Sequence, residues 1–467
     1  MKVHRLTVLL ITLVFFIFSC KKERFITSAQ ATLATSADTL TYDTIFTSVG
    51  SITQSFKIYN KNNQKLLINK IKLSGGATSF YNINVDGVVA TEVNNIELEA
   101  NDSMYVFVQV RIDPSTANLP FVVRDSILIE YNTNQKFVQL QAYGQNAIFL
   151  NKVRITGNMT WESALPYVIT GGILIDSTAT LTVRPGTRIF LHPDAPFLVD
   201  GTLIVAGTKD DKVVFAGDRL DEGYVDYPAS WPGIYFSGSS KNNRFTFALI
   251  KNAYQGIVVS DPSTNVLPKV TLTQTIIDNI YDAGILGINS NIEASNCLIT
   301  NCGKNILLVY GGEYSFVNCT VASYSNFFID HKNPVLQVAN FIDQDNSIFV
   351  SDLNANFKNC IFWGSGGTVE DEINVLKKPG GNFSVTFENT LYKQTNTDPA
   401  DAQFSGNVLK NTDPLFDSIN ISKNYYDFHF VKDPSAPAID QGSAVPLAYD
   451  LDGNPRIGIP DLGCYER

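Results

Sequence analysis

Cations, histidine and sulfur are all scarce in this chain. Across 467 residues there are 35 Lys and Arg against 45 Asp and Glu, with four histidines, six cysteines and three methionines. The difference, 35 − 45, gives a net charge of −10. A phosphate-binding surface needs a basic stripe, and no run of Lys and Arg supplies one, so nucleic acid is not an expected partner. His4 lies in the N-terminal segment, and His192, His331 and His429 are scattered along the sequence, each reading as a structural or surface residue. Cys297 and Cys302 have four residues between them and no histidine to complete a zinc site, so no metal centre is expected there. The apolar run at residues 6–18 is too short to span a bilayer.

What is abundant is Asn, Thr, Ser and β-branched residues, punctuated by Gly, Pro and Asn, which is an all-β composition. The N-terminus has the layout of an export signal. Lys2 and Arg5 precede the apolar run, which ends in Ile17-Phe18-Ser19-Cys20. A small residue before Cys at that point resembles a bacterial lipobox. The resemblance implies a signal peptide over residues 1–19 and lipidation of Cys20, with anchoring in the outer membrane, because each buried CH₂ adds about 0.8 kcal/mol. The other reading is an ordinary secretory signal with a chance cysteine. Residues 20–37 are small and polar and read as a tether. Its charged Lys21-Lys22-Glu23 is similar to surface lipoproteins of the Bacteroidetes, so either the cell surface or the periplasmic face is the expected location.

Residues 38–147 carry short alternating strands. In Ser55-Phe56-Lys57-Ile58-Tyr59-Asn60 the period of two puts Phe56, Ile58 and Asn60 on one face. Residues 66–73, 103–110 and 126–131 repeat the pattern, which suits a two-sheet sandwich. The runs 54–60, 71–75 and 106–110 resemble immunoglobulin-like domains of the ASPM/SPD-2/Hydin kind. No cysteine pair pins this sandwich.

Beyond residue 150 the chain repeats itself. Phe245-Thr246-Phe247-Ala248, Leu272-Thr273-Gln274-Thr275, Ala294-Ser295-Asn296-Cys297, Phe316-Val317-Asn318-Cys319, Phe357-Lys358-Asn359-Cys360 and Phe387-Glu388-Asn389-Thr390 align, with about 22 residues per repeat at the closest spacing. One slot holds Ala248, Thr275, Cys297, Cys319, Cys360 and Thr390, predicting small buried residues and free thiols. The slot before it holds Asn296, Asn318, Asn359 and Asn389, predicting a hydrogen-bonded asparagine ladder. A second ladder is expected through Asn252, Asn279 and Asn301, with Gly256, Gly284 and Gly303 supplying positive φ at the corner.

This repeat resembles the right-handed parallel β-helix proteins of the pectate-lyase-like superfamily. Thr182-Val183-Arg184-Pro185-Gly186-Thr187, residues 201–208 and Trp231-Pro232-Gly233-Ile234 look like early coils of such proteins. Asp413-Pro414-Leu415-Phe416, residues 435–442, Asp450-Leu451-Asp452-Gly453-Asn454-Pro455-Arg456 and Asp461-Leu462-Gly463-Cys464-Tyr465-Glu466 resemble the C-terminal region of secreted proteins described as choice-of-anchor Q. The expectation is a β-helix over residues 148–412 and a C-terminal cap region over 413–467.

Catalytic motifs of the superfamily are not recognisable, so no catalytic residue carries over. Asp210-Asp211 reads as a solvated turn, and Glu370-Asp371-Glu372 as a solvated side loop. Asp450-Leu451-Asp452-Gly453-Asn454 looks faintly like a Ca²⁺ loop but lacks the distal Glu, and an Asx-turn network is the alternative. The loop at residues 217–228 mixes carboxylates, Arg219 and two tyrosines just before Trp231. Asp218, Arg219, Asp221, Asp226 and Trp231 are therefore the candidate binding residues, for a glycan or for Ca²⁺. The alternative is a hydrogen-bonded loop that covers the solenoid. The expected function is a cell-envelope lipoprotein presenting a rigid β-helix for non-catalytic binding of polysaccharide or surface glycans, or for adhesion. A polysaccharide lyase or glycoside hydrolase is the other reading.

Overall fold

The computed structural model describes residues 24–46, 51–112, 121–162, 164–221, 223–432 and 435–467. The export signal and Cys20 lie outside the described residues. The chain divides into two units, residues 1–146 and 147–467.

The first unit is an immunoglobulin-like sandwich. One sheet orders its strands Leu33–Thr35, Gln54–Asn60, Ser103–Val110, Tyr81–Val85 and Val88–Ala90. The other orders Thr39–Phe46, Asn134–Gln145, Phe121–Tyr131, Leu66–Leu73 and Glu92–Leu98. Alternation works as the sequence implies: Phe56, Ile58 and Asn60 all point into the core. Asn60 is tolerated there because its amide donates to the carbonyls of Gln64, Leu98 and Glu99. Residues 26–37, expected in the tether, belong to the sandwich instead. Leu33–Thr35 pairs with Gln54–Asn60, Ile26 N donates to Lys65 O at 2.8 Å, and Ala31 and Leu33 are buried. Those apolar residues among small polar ones give this stretch a face to bury.

The second unit is a right-handed parallel β-helix with three parallel sheets. A typical coil contributes one short stretch of strand to each sheet, and each such stretch pairs with its counterpart one coil on, some strands such as Ala283–Ser295 and Lys304–Val317 running through a corner from one sheet into the next. Neighbouring coils therefore lie about 4.8 Å apart, and a right-handed path is the rule for such parallel crossovers. The first sheet includes Thr202–Ala206, Asn243–Thr246, Val270–Thr273 and Leu353–Lys358, and the second includes Val213–Gly217, Ala248–Lys251, Leu298–Thr300 and Ile361–Ser365. The third includes Phe197–Val199, Ile234–Phe236, Ile257–Ser260 and Leu336–Ala339.

The repeat slots take their meaning at the corners. Ala248, Thr275, Cys297, Cys319, Cys360 and Thr390 are fully buried and the cysteines are free thiols. Burial raises the pKa of the Cys297 and Cys319 thiols well above the ordinary value. The residue before each slot turns the corner with φ between +47° and +55°, at Phe247, Gln274, Asn296, Asn318, Asn359 and Asn389. Asn is the residue most at ease there, and its amide can bond up and down the stack. Asn359 donates to Asn318 at 3.1 Å, and Asn389 to Asn359 at 3.4 Å. At the next corner Asn279 donates to Asn252 at 2.9 Å. Here the positive φ belongs to Asn252, Asn279 and Asn301, not to Gly256, Gly284 and Gly303. Those glycines are required by space: a Cβ on Gly256 would strike Gly284 O, and one on Gly303 would strike Tyr281 O.

Residues 413–467 do more than finish the last coil. After the hairpin of Phe416–Asn420 and Tyr425–Phe430 the tail runs back over the outer face of the second sheet. Phe428, Ala438, Leu451, Leu462 and Cys464 pack on Leu298, Ala322, Ile361 and Leu391. The corner asparagines receive it: Asn296 donates to Tyr449 O, Asn318 to Asp461 O and Asn359 to Ser443 O. The second sheet is apolar on both faces, so its outer face needs such a cover.

Two outcomes are expected. Asn359→Ala removes the ladder and the Ser443 bonds together, and should lower stability by about 1–3 kcal/mol, read as a fall in the urea midpoint. His429 sits between Asp452 and Asp427, at 2.8 and 2.6 Å, and stacks on Tyr465. The Asp452 bond, against the opposing effect of burial, raises its pKa to about 9. A histidine whose folded pKa exceeds its unfolded value near 6.5 stabilises the fold fully below pH 6.5 and loses that effect as pH rises through 9. The urea midpoint should therefore drop modestly between pH 6.5 and 9.5, since the pair is part-exposed, and His429→Gln should flatten that drop.

Candidate functional site

The loop after Gly217 does not form the open site its composition suggests. Trp231 is 1% exposed, its Nε1 donates to Lys251 O, and it fills the core rather than facing a ligand. Asp218 is buried, with Oδ2 2.7 Å from His192 Nδ1, and Oδ1 has no hydrogen-bond partner among the described residues. Burial raises its pKa, and the His192 contact works against that rise. Arg219 spends its charge on Asp221, in a bidentate pair at 2.7 and 2.9 Å, and its guanidinium lies over Tyr224. Tyr224 stacks on Tyr227, which packs on Phe328. Asp226 stays half-exposed, 3.8 Å from Lys251 Nζ. The cause of this closure is the corner ladder: Asn252 takes Val225 O at 2.6 Å, and Asn279 takes Asp226 O at 2.7 Å. The loop is a cover bonded to the solenoid.

The other candidates also resolve into structure. Asp450 is fully buried, and its carboxylate accepts the backbone N–H groups of Asp452, Asn454 and Glu466 and the amide of Asn454. That is an Asx-turn network, with its oxygens already engaged. Asp210 and Asp211 are exposed in a turn closed by Thr208 Oγ1. Glu370 is exposed as expected, but Glu372 is not: it is fully buried against His331 at 2.8 Å and clasps the 325–335 loop to the next coil. Among the described residues no group of three or more His, Cys, Asp or Glu could hold a metal ion.

The open concavity lies on the outer face of the first sheet. Register aligns the outward side chains of successive coils into rows. One row is Arg244, Thr271, Glu293, Ser315, Asn356 and Thr386, and a second is Asn291, Glu313, Asn354 and Ser384. Three hollows of about 330, 290 and 360 Å³ lie over these rows and run into one another, the first two sharing Asn291, Glu313 and Asn354, the last two sharing Leu267, Pro268 and Glu293. Their common wall is the loop at 262–268. It carries Val266, 99% exposed, and Leu267, 46% exposed.

That wall is braced. Asn291 accepts Ser263 N at 2.7 Å, Asn265 accepts Leu267 N and donates to Asn242, and Ser290 donates to Asp261 O. At its base Lys269, 0% exposed, donates its ammonium to the carbonyls of Ser260, Ser237 and Gly238 at 2.6, 3.0 and 3.2 Å. This groove is not legible in the sequence, because the outward Thr, Asn and Glu of a strand read as ordinary solvent-facing positions. The signal that could have found it is the excursion at 261–269, with two prolines around exposed Val and Leu.

No family model and no curated protein matches the chain. Among solved structures, the catalytic unit of a family 87 α-1,3-glucanase from Streptomyces thermodiastaticus aligns over 76% of this chain and 89% of its own, at 8% identity and a TM-score of 0.20. A family 123 glycoside hydrolase from Clostridium perfringens aligns over 27% of this chain, at 9% identity and a TM-score of 0.19, and the chain spans 26% of that protein's length. A human ASH/PapD-like domain aligns over 27% of this chain and 94% of its own, at 12% identity and a TM-score of 0.17. These likenesses are too distant to carry an argument about activity.

Lys269→Met should lower stability by about 1–3 kcal/mol, because it leaves buried carbonyls without their donor. Hydrogen exchange should speed up over residues 261–268, and unchanged exchange there would remove the bracing role.

Proposed function

We propose that this protein is an envelope lipoprotein, anchored in the outer membrane through Cys20, that presents a rigid β-helix and binds a polysaccharide lengthwise in the groove of its first sheet without cleaving it. The observation that carries the reading is the two-sided chemistry of the groove. Val266, Leu267 and Pro268 form an apolar wall, and Thr271, Asn291, Glu313 and Asn354 form a hydrogen-bonding floor. A sugar ring has the same two sides, a C–H face and a rim of hydroxyls. The floor repeats at every coil, so a linear polymer can make the same contact several times over, and the braced wall lowers the ordering cost of binding. Glu293 and Glu313 are exposed to water, whereas the general acid of a glycosidase sits in an apolar pocket.

The test is a polysaccharide panel followed by affinity electrophoresis and size-exclusion chromatography. Retarded protein with polymer of unchanged length is the expected result, and the Val266→Asp/Leu267→Asp variant should weaken binding at least tenfold. Shortened polymer would make the protein an enzyme. For the anchor, Cys20→Ala should move the protein from the membrane to the soluble fraction, and an unlipidated wild-type N-terminus in mass spectrometry would remove the lipoprotein reading.

A further inference from the structure

We infer that the polymer held in this groove carries protonated amino groups, so that its recognised class is an amino-sugar glycan with free amines and not a polyuronate. The inference rests on the groove reading above and names the ligand class of that same site. Glu293 and Glu313 stand on neighbouring coils, in adjacent outward rows, and both are exposed at the centre of the concavity. Among the described residues neither is paired with a lysine or arginine. Glu313 is held instead by the neutral amide of Asn291, whose Nδ2 donates to Oε2 at 2.9 Å. An amide positions that carboxylate without bringing a counter-charge to it.

Arg244 is the cation of the groove, in the same row as Glu293 but two coils away, about 10 Å. It is exposed, and suits ring hydroxyls or an acidic substituent at that end. Over the central section a uronate chain would bring like charges together, whereas ammonium groups along a polymer would meet two carboxylates set diagonally on neighbouring coils. The apolar wall of Val266 and Leu267 would meanwhile cover the C–H face of the same sugar.

The experiment is isothermal titration calorimetry of the purified protein at pH 6 with glucosamine hexamer, its fully N-acetylated counterpart and oligogalacturonate, each at low and high salt. The glucosamine hexamer should bind at least tenfold tighter than the acetylated one and weaken with salt, and oligogalacturonate should bind weakest. Glu293→Gln/Glu313→Gln, two exposed and nearly isosteric changes, should erase the preference for the free amine. Equal binding of both hexamers, a preference that survives the double variant, or no binding of the amine form overturns the inference. The groove reading fails separately, if no polysaccharide of the broader panel binds or if Val266→Asp/Leu267→Asp leaves binding intact.

Discussion

Backbone pairing between successive coils is the interaction on which everything else in the solenoid depends. A strand of three to five residues has too little surface to hold a sheet by itself. Pairing it with the same strand one coil on satisfies its N–H and C=O groups and fixes each residue above its counterpart. Side chains are then selected by row. An interior row must be small or apolar in every coil, as in Ala248, Thr275, Cys297, Cys319, Cys360 and Thr390. A corner row must accept the left-handed conformation, as in Asn296, Asn318, Asn359 and Asn389. One misfit side chain disturbs the coils on both sides of it.

The same constraint makes each outer face uniform along its length, and the faces differ in what they need. The second sheet presents Ile276, Leu298, Ile361 and Leu391 outward, and the tail buries them. The corner between the second and third sheets gathers loops that return to the asparagine ladder, with His331 and Glu372 as a buried clasp. The first sheet presents Thr, Asn, Ser and Glu, which water satisfies without any cover. That face stays open because little of its surface is apolar, and the 262–268 loop beside it turns an open face into a groove.

The legible part of the sequence was the part written as repetition. The six aligned segments located the buried slot and the corner asparagines, and period-two strands such as Gln54–Asn60 located the sandwich. What misled was composition read without partners. Asp218, Arg219, Asp221 and Trp231 have the residue types of a binding loop, but each finds its partner inside the chain, with His192 and Lys251 supplying contacts far away in sequence and Tyr224 one within the loop itself. The role of the glycines is hidden for a related reason: it is set by the carbonyl of a neighbouring coil, which no local rule contains. The groove was invisible because it is made of ordinary outward residues and becomes a site only when register stacks them.

In this architecture stability and recognition draw on different rows. Inward rows and corners hold the fold, so they tolerate little change. The outward rows of the first sheet meet solvent, and Glu293 lies among them with no hydrogen-bond or ion-pair partner among the described residues to keep it there. A side chain under no structural demand, standing beside a wall braced by a buried lysine, is free to be chosen for a ligand. The bracing matters as much as the choice: Lys269 and Asn291 hold the loop before anything binds, so a polymer need order only itself. Affinity along such a groove would accumulate from several modest contacts in register, and the coil spacing sets the repeat with which a ligand has to agree.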